Sequence, residues 1–181
     1  MTADATGALP DYLRPGLDLV FVGINPGRRS AETGHHYAGR GNLFWPLLYE
    51  SGLVPEPLTY EDDWRAPDFG IGLTNLVARW SPSMSDLSPA ELRDGAGRLR
   101  RALLHTRPRI VCFNGKGIYE VFSGRRCAYG LQAERLDGSI IYVMPSTSGR
   151  AAGFRRSDRL RFFRELAELV ASMREARKVA P

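Results

Sequence analysis

Short apolar runs alternate with helical patterns along the chain. Strand-like runs fall at residues 17–22, 72–78, 109–113 and 139–143. The segments between them carry apolar residues at helical spacing. Residues 42–51 read as a helix provided that Pro46 lies in or near the first turn, where its missing N–H is tolerated. Residues 88–105 give the clearest helix. There "SPAE" offers Ser88 as N-cap, Pro89 at the first helical position and Glu91 to close a capping box. Residues 115–122 read as a short helix. Residues 157–175 read as a long amphipathic one, with Leu160, Phe163, Leu166, Val170 and Met173 near helical spacing. No internal repeat or low-complexity tract breaks the pattern. Residues 1–12 and 176–181 read as flexible tails of one domain spanning 1–181.

Strands separated by helices predict an α/β fold, a mainly parallel sheet covered on both faces. In such sheets the ligand crevice lies beyond the carboxyl ends of the strands. The segments after the four strand-like runs are "GINPGRRS", "RWSPSMSD", "NGKG" and "MPSTSGR". Each is rich in Gly, Pro, Ser or Asn. Turn chemistry explains any one of them more easily than it explains the set.

Composition narrows the class. The 181 residues fit one domain, and 43% hydrophobic with 25% charged residues is ordinary for a soluble globular protein. No apolar run is long enough for a membrane span, and "MTADATGALPDYLRPG" lacks the basic-then-apolar order of a signal peptide. A cytoplasmic or nucleoid-associated location with no membrane partner is therefore expected. Of the two cysteines, Cys112 sits in the apolar run "RIVCF" and reads as a buried small hydrophobe. Two thiols cannot hold a four-thiolate cluster, and no CxxC pair marks a zinc site. The net charge of +5 permits a polyanion partner without requiring one. The stretch 150–164 holds Arg150, Arg155, Arg156, Arg159, Arg161 and Arg164, which fits either a solvated helix face or a nucleic-acid footprint.

Four segments carry candidate chemistry. "GINPG" is neither a P-loop nor a dinucleotide fingerprint. Gly23 and Gly27 allow close approach of the main chain to a ligand, and Pro26 restrains Asn25. An amide has a donor and an acceptor, so Asn25 could hold a water without changing charge; an Asn-Pro turn is the plainer reading. "GHHYAGRGNLFW" suggests a glycine-rich lid whose aromatic could stack on a flat ligand, with Phe44 and Trp45 packing in the core. His35 and His36 lack a third ligand at metal spacing. In "GIGLTNLVARWSPSMSDLS", Asn75 is suited to a pyrimidine edge or to a strand end, and Asp86 reads as a loop carboxylate. In "VMPSTSGRAAGFRR", small hydroxyl residues precede Arg150. With Lys116 of "NGK" they would make a phosphate-tracking edge, or a serine-rich turn ahead of a helix.

Taken together these segments resemble the mismatch-specific uracil/thymine-DNA glycosylase family, family 2 of the uracil-DNA glycosylases. The resemblance runs from about Leu17 to about Arg164. It rests on "GINPG", "GHHYxGxGNxFW", "GIGxTNxV", "FNGKxIYExF" and "MPSxSxR" in that order. It is closer to the thymine-active branch than to the bacterial mismatch-uracil branch, which has Lys at the place of Asn75. The resemblance implies a three-layer α/β/α sandwich that excises a flipped base from double-stranded DNA. Asn25 matches the residue that positions the attacking water, and Asp86 is a weaker candidate to assist it. The backbone around Gly23 and Ile24 matches contacts to the base, Tyr37 the aromatic stacked on it, and Asn75 the reader of its edge. Ser30 and His36 match positions that govern tolerance of a 5-methyl group. Lys116, Ser146 and Ser148 match DNA-backbone contacts, and Arg150 matches the wedge, with Gly149 and Arg155 beside it. No metal or organic cofactor is implied, and a monomer is expected. Two departures bear on specificity. Thymine-active members carry Ala where this chain has Ser30, and a Thr pair where it has Trp80 and Ser81. A hydrolase of free nucleosides or nucleotides, or a non-catalytic module that binds damaged DNA, are the alternatives.

Overall fold

The structure is a computed structural model that describes residues 7–179. Its centre is a five-stranded sheet in the order β2-β1-β3-β5-β4. The strands are β1 (Leu19–Gly23), β2 (Ile71–Asn75), β3 (Ile110–Asn114), β4 (Gly130–Leu136) and β5 (Ser139–Met144). β1 runs parallel to β2 and β3, and β3 parallel to β5; β4 alone is antiparallel, on β5. Every residue of β1, β2 and β3 is buried. Near-continuous apolar runs are what a strand covered on both faces requires.

The two faces have separate cores. Leu19 and Phe21 point into one, with Phe44 of helix α2 (Phe44–Glu50) and Phe163 and Leu166 of α5 (Arg156–Val179). Val20 and Val22 point into the other, with Leu99 and Leu103 of α3 (Pro89–Thr106) and Phe122 of α4 (Lys116–Ser123). This is the alternation of a pleated strand, and it makes three layers. Cys112 is fully buried in the first core, its Sγ 3.4 Å from Met144 Sδ.

The Ser88 capping box is present, with the Ser88 hydroxyl and the Glu91 side chain each bonded to the other residue's backbone N–H. Pro46 stands at the third position of α2, within the first turn. Sequence periodicity passes over α1 (Arg28–Thr33), which is too short for a repeat, and over β4, an edge strand exposed along most of its length. It also passes over a 3-10 helix, Tyr60–Phe69. The expected N-terminal tail is tied down where it is described. Tyr12 and Leu73 exchange backbone hydrogen bonds on the open edge of β2, and the Thr74 hydroxyl donates to Asp11 Oδ1 at 2.7 Å. An edge strand leaves donors and acceptors free, and this segment satisfies them. At the other end α5 continues to Val179; residues 1–6 and 180–181 lie outside the described residues.

Helix α3 sits so close to the chain after β2 that a Cβ on Gly95 would stand 2.3 Å from the Leu76 carbonyl oxygen. Gly95→Ala is therefore expected to lower stability by ~1–3 kcal/mol, the usual cost of overpacking, in spite of alanine's better helix propensity. Urea unfolding checks this; an unchanged or raised midpoint would show that α3 can move away.

Candidate active site

β1 and β2 end together, with Gly23 beside Asn75. Pairing continues past the strands: Leu76 N–H donates to Gly23 O at 2.9 Å and Val77 N–H to Ile24 O at 2.8 Å. From α3, Arg98 Nη2 donates to the carbonyls of Asn75 (2.7 Å) and Leu76 (3.3 Å). A Cβ on residue 23 would lie 2.4 Å from Asn75 Oδ1. Any side chain there would have to displace the Asn75 amide. The loops after the parallel strands, together with the 34–43 loop, line one cleft of about 1430 Å³.

Asn25 lines this cleft, half-buried. Its Nδ2 donates to Arg79 O at 3.1 Å and to Ser81 Oγ at 2.8 Å. Ser81 is buried and donates in turn to Ser83 O at 2.7 Å, so its oxygen is set to accept from Asn25. Both amide hydrogens are occupied, which leaves Oδ1 as the side chain's acceptor. The supporting loop is itself fixed. Arg79 donates to Trp80 O and Asp86 O and pairs with Glu91, and its hydrogen bonds hold the Glu91 carboxyl down at about 2.

The 34–43 loop hangs from Asp63, a fully buried carboxylate on the 3-10 helix Tyr60–Phe69. Asp63 accepts from the His36 amide (2.8 Å) and Tyr12 hydroxyl (3.1 Å), and lies 3.0 Å from His35 Nδ1. His36 is buried, with Nε2 2.7 Å from Pro10 O, so the proton is on Nε2. Trp45 Nε1 donates to His36 O at 3.0 Å. Burial lowers the His36 pKa, although the Pro10 carbonyl and the Asp63 and Asp11 carboxylates favour the cation. Tyr37 follows with a left-handed backbone (φ 56°), a conformation rare for a bulky residue. One face of its ring stacks on Phe44 at 3.9 Å. Its hydroxyl is buried, and burial raises its pKa, an effect that the Asn114 side chain beside it only partly offsets. Ser30 is buried and accepts from the Ala38 amide at 3.1 Å, pinning the chain beyond Tyr37.

The opposite lip is the 145–154 loop. The Ser146 hydroxyl accepts from Ser148 N and the Ser148 hydroxyl from Arg150 N, two successive serine turns. Asn114, at the end of β3, bonds the Thr147 hydroxyl (2.9 Å) and amide (3.0 Å). Leu43 N–H donates to Thr147 O, and a Cβ on Gly149 would be 3.1 Å from Gly41 O, so the two loops are in contact. Arg150 Nη1 reaches across the cleft to Pro82 O at 3.1 Å. Lys116 Nζ lies 5.4 Å over the Tyr129 ring. Among the described residues Arg28, Arg29, Arg40, Lys116, Arg150 and Arg159 line the cleft, against one carboxylate, Glu32, which pairs with Arg28 at 2.8 Å.

The cleft thus gathers Gly23, Ile24, Asn25, Ser30, His36, Tyr37, Asn75, Lys116, Ser146, Ser148, Gly149 and Arg150. It does not gather Asp86 or Arg155. The Asp86 carboxylate accepts from Ser83 N at 2.9 Å and closes a short 3-10 helix, Met84–Asp86; the Arg155 amide donates to Asp158 and its side chain is exposed outside the lining. Sequence reasoning missed Ser81, Asp63, Asn114 and Arg159. Asn114 had a signal, since "FNGK" ends its strand on an Asn as β1 and β2 lead into Asn25 and Asn75. Among the described residues no group of three or more His, Cys, Asp or Glu side chains is placed to hold a metal ion.

A mainly parallel sheet covered on both faces, with a cationic cleft at its carboxyl ends, defines an α/β protein whose cleft is electrostatically suited to anions. The model of the uracil DNA glycosylase superfamily matches residues 10–171, and the chain belongs to that superfamily. It is 36% identical over 183 aligned positions to the G/U mismatch-specific uracil DNA glycosylase of Schizosaccharomyces pombe. That alignment covers 95% of this chain and 56% of the relative, so the chain spans little more than half the relative's length. A solution NMR structure from Methanosarcina acetivorans, described as a candidate uracil DNA glycosylase, superposes with a TM-score of 0.58 at 25% identity. It covers 88% of this chain and 96% of that one.

Because the folded pKa of His36 lies below the ordinary imidazole value of 6.5, protonation favours the unfolded chain. His36 contributes stability that is full above that value and lost as pH falls toward the folded pKa. Melting temperature is expected to fall more steeply from pH 7 to pH 5 in the wild type than in His36→Gln, whose side chain does not titrate. Parallel profiles would show that His36 is not the titrating group.

Proposed function

We propose that this protein hydrolyses the N-glycosidic bond of uracil mispaired with guanine in double-stranded DNA, the first step of base excision repair. The observation that carries the proposal is the Asn25 amide. Both of its hydrogens are bound to Arg79 O and Ser81 Oγ, so its oxygen is aimed and uncharged. Such a group orients a water and cannot take its proton usefully. The similarity to the Schizosaccharomyces pombe protein supports the lesion, and six cations facing one paired carboxylate support a polyanionic substrate. The cleft of about 1430 Å³ exceeds the ~300–1,000 Å³ usual for small ligands, which supports a duplex over a free nucleoside.

In this mechanism the target nucleotide leaves the stack, which costs least at a mismatch. The base enters beside Gly23 and Ile24, against Tyr37, with the Asn75 amide at its edge. The bond from the deoxyribose C1′ to the base breaks with oxocarbenium character, and the electron pair departs with the base. Main-chain amides around Ile24 and Asn75 stabilise the leaving anion. Water held by Asn25 adds to C1′ and loses its proton to solvent, and the anion is reprotonated. Arg150 releases Pro82 O and fills the space left in the duplex. Lys116, Ser146 and Ser148 hold the backbone, and one chain supplies the whole cleft, as a monomer would need. The Ser30 hydroxyl, fixed on the Ala38 amide, narrows the space for a 5-methyl group, so thymine is excised more slowly than uracil.

Single-turnover cleavage of duplexes carrying U:G, T:G and U:A, beside free deoxyuridine, tests the proposal. U:G is expected to be fastest. Asn25→Ala is expected to lose at least about 100-fold in rate while still binding DNA, as a misplaced reactant does. DNA binding with no abasic product from any duplex would reject the activity, and near-wild-type cleavage by Asn25→Ala would reject its role. Ser81→Ala removes one hydrogen bond of ~1 kcal/mol from the amide and is expected to slow cleavage about five- to tenfold. An unchanged rate would mean that Arg79 O alone orients Asn25.

A further inference from the structure

Arg159 is a buried cation without a counter-ion. It lies in the first turn of α5, only 7% exposed. Its Nε donates to Ser146 O at 2.9 Å and its Nη2 to Ala151 O at 2.8 Å. Both partners are uncharged. Other arginines of α5 face carboxylates: Arg156 pairs with Glu50, Arg161 with Glu165 and Arg174 with Asp18. Asp158, next in sequence, accepts instead from the Arg155 amide at 2.9 Å. Among the described residues no carboxylate pairs with Arg159. The amino-terminal end of a helix adds a partial positive charge, which makes the position worse for a cation.

Burying a charge is costly unless it is paired. Two carbonyl dipoles offset part of that cost and leave the net charge in place. Arg159 nevertheless lines the cleft, beneath the same 145–154 loop that carries Ser146, Ser148 and Arg150. We infer that the counter-ion of Arg159 is a phosphodiester of the bound DNA strand, so that Arg159 is a phosphate-binding residue of the cleft. The inference rests on the proposed glycosylase reading for its ligand. A neutral base or an abasic sugar brings no charge to this position, whereas a phosphate brings one, and a planar guanidinium suits phosphate geometry. One side chain then shapes the Arg150 loop and gathers the backbone that the loop must enter.

The salt dependence of DNA binding separates this from a purely structural role. Binding is measured with a U:G duplex whose uridine is 2′-fluorinated and resists cleavage, in wild type, Arg159→Gln and Arg159→Lys. Loss of one phosphate contact lowers the slope of log K against log salt by about 1. Arg159→Gln is expected to show that fall, and Arg159→Lys, which keeps the charge, to keep the wild-type slope. A folded Arg159→Gln with the wild-type slope would overturn the inference. Should Arg159→Gln fail to fold, a methylphosphonate scan around the lesion decides with Arg159→Lys. One neutralised linkage is expected to weaken the wild type more than the lysine variant, which has lost the guanidinium fork. Equal losses at every linkage would overturn the inference. Wild-type cleavage of the unmodified U:G duplex is followed in parallel, so failure of the glycosylase reading is seen separately.

Discussion

Asn75 Oδ1 occupies the space that a side chain on residue 23 would need. This contact between neighbouring parallel strands governs the rest of the site. A side chain at residue 23 would have to displace that amide, and the paired strand ends set the level from which the Asn25 loop departs. The ladder continues one step beyond the strands, through Leu76 to Gly23 and Val77 to Ile24, so the loop does not begin until Asn25. Arg98 and Gly95 hold the same segment from α3. A buried sheet therefore delivers two amides to one cleft, Asn25 held by two hydrogen bonds and Asn75 placed by its strand.

Neutral dipoles hold the polar groups at the centre of the cleft, and a buried carboxylate holds the loop that carries Tyr37. Asn25 is oriented by a carbonyl and a serine, Thr147 by Asn114, and the 34–43 loop by Asp63. His36 is kept neutral by burial and bonded to Pro10, Tyr37 keeps its proton, and the Asp86 carboxylate closes a turn. Among the described residues Glu32 is the carboxylate of the lining, and it is paired with Arg28. That fits a reaction whose leaving group departs as an anion and whose nucleophile needs placing more than deprotonating. In the proposed complex the positive charge of Lys116, Arg150 and Arg159 acts on the strand rather than on the bond.

Much of this was legible in the sequence. Apolar runs marked the central strands because both faces are covered, and the Ser88 box marked a helix start because capping is local chemistry. Asn25, Tyr37, Asn75 and Arg150 stood out in loops that only a shared sheet edge would bring together. What was not legible depends on distant partners. Ser81 looked like a departure from a family pattern, yet its hydroxyl holds Asn25 from 56 residues away. Asp63 lies in an irregular acidic stretch, and only the fold shows Tyr12, His35 and His36 gathered on it. Arg159 was one arginine among six until burial set it apart, while Arg155 and Asp86 were near in sequence and are absent from the cleft lining. β4 and α1 were missed because an exposed edge strand and a helix of six residues carry no periodic signal.

The central claim is that the close contact of Gly23 and Asn75 sets the catalytic geometry. Gly23→Ala forces a Cβ against Asn75 Oδ1 and leaves the 145–154 loop untouched. The most direct test is the single-turnover rate of Gly23→Ala on a U:G duplex, measured with its affinity for the same duplex. The rate is expected to fall by about 100-fold or more, as for a reactant displaced by about 1 Å, with affinity nearly unchanged. A folded Gly23→Ala protein that cleaves at the wild-type rate would contradict it.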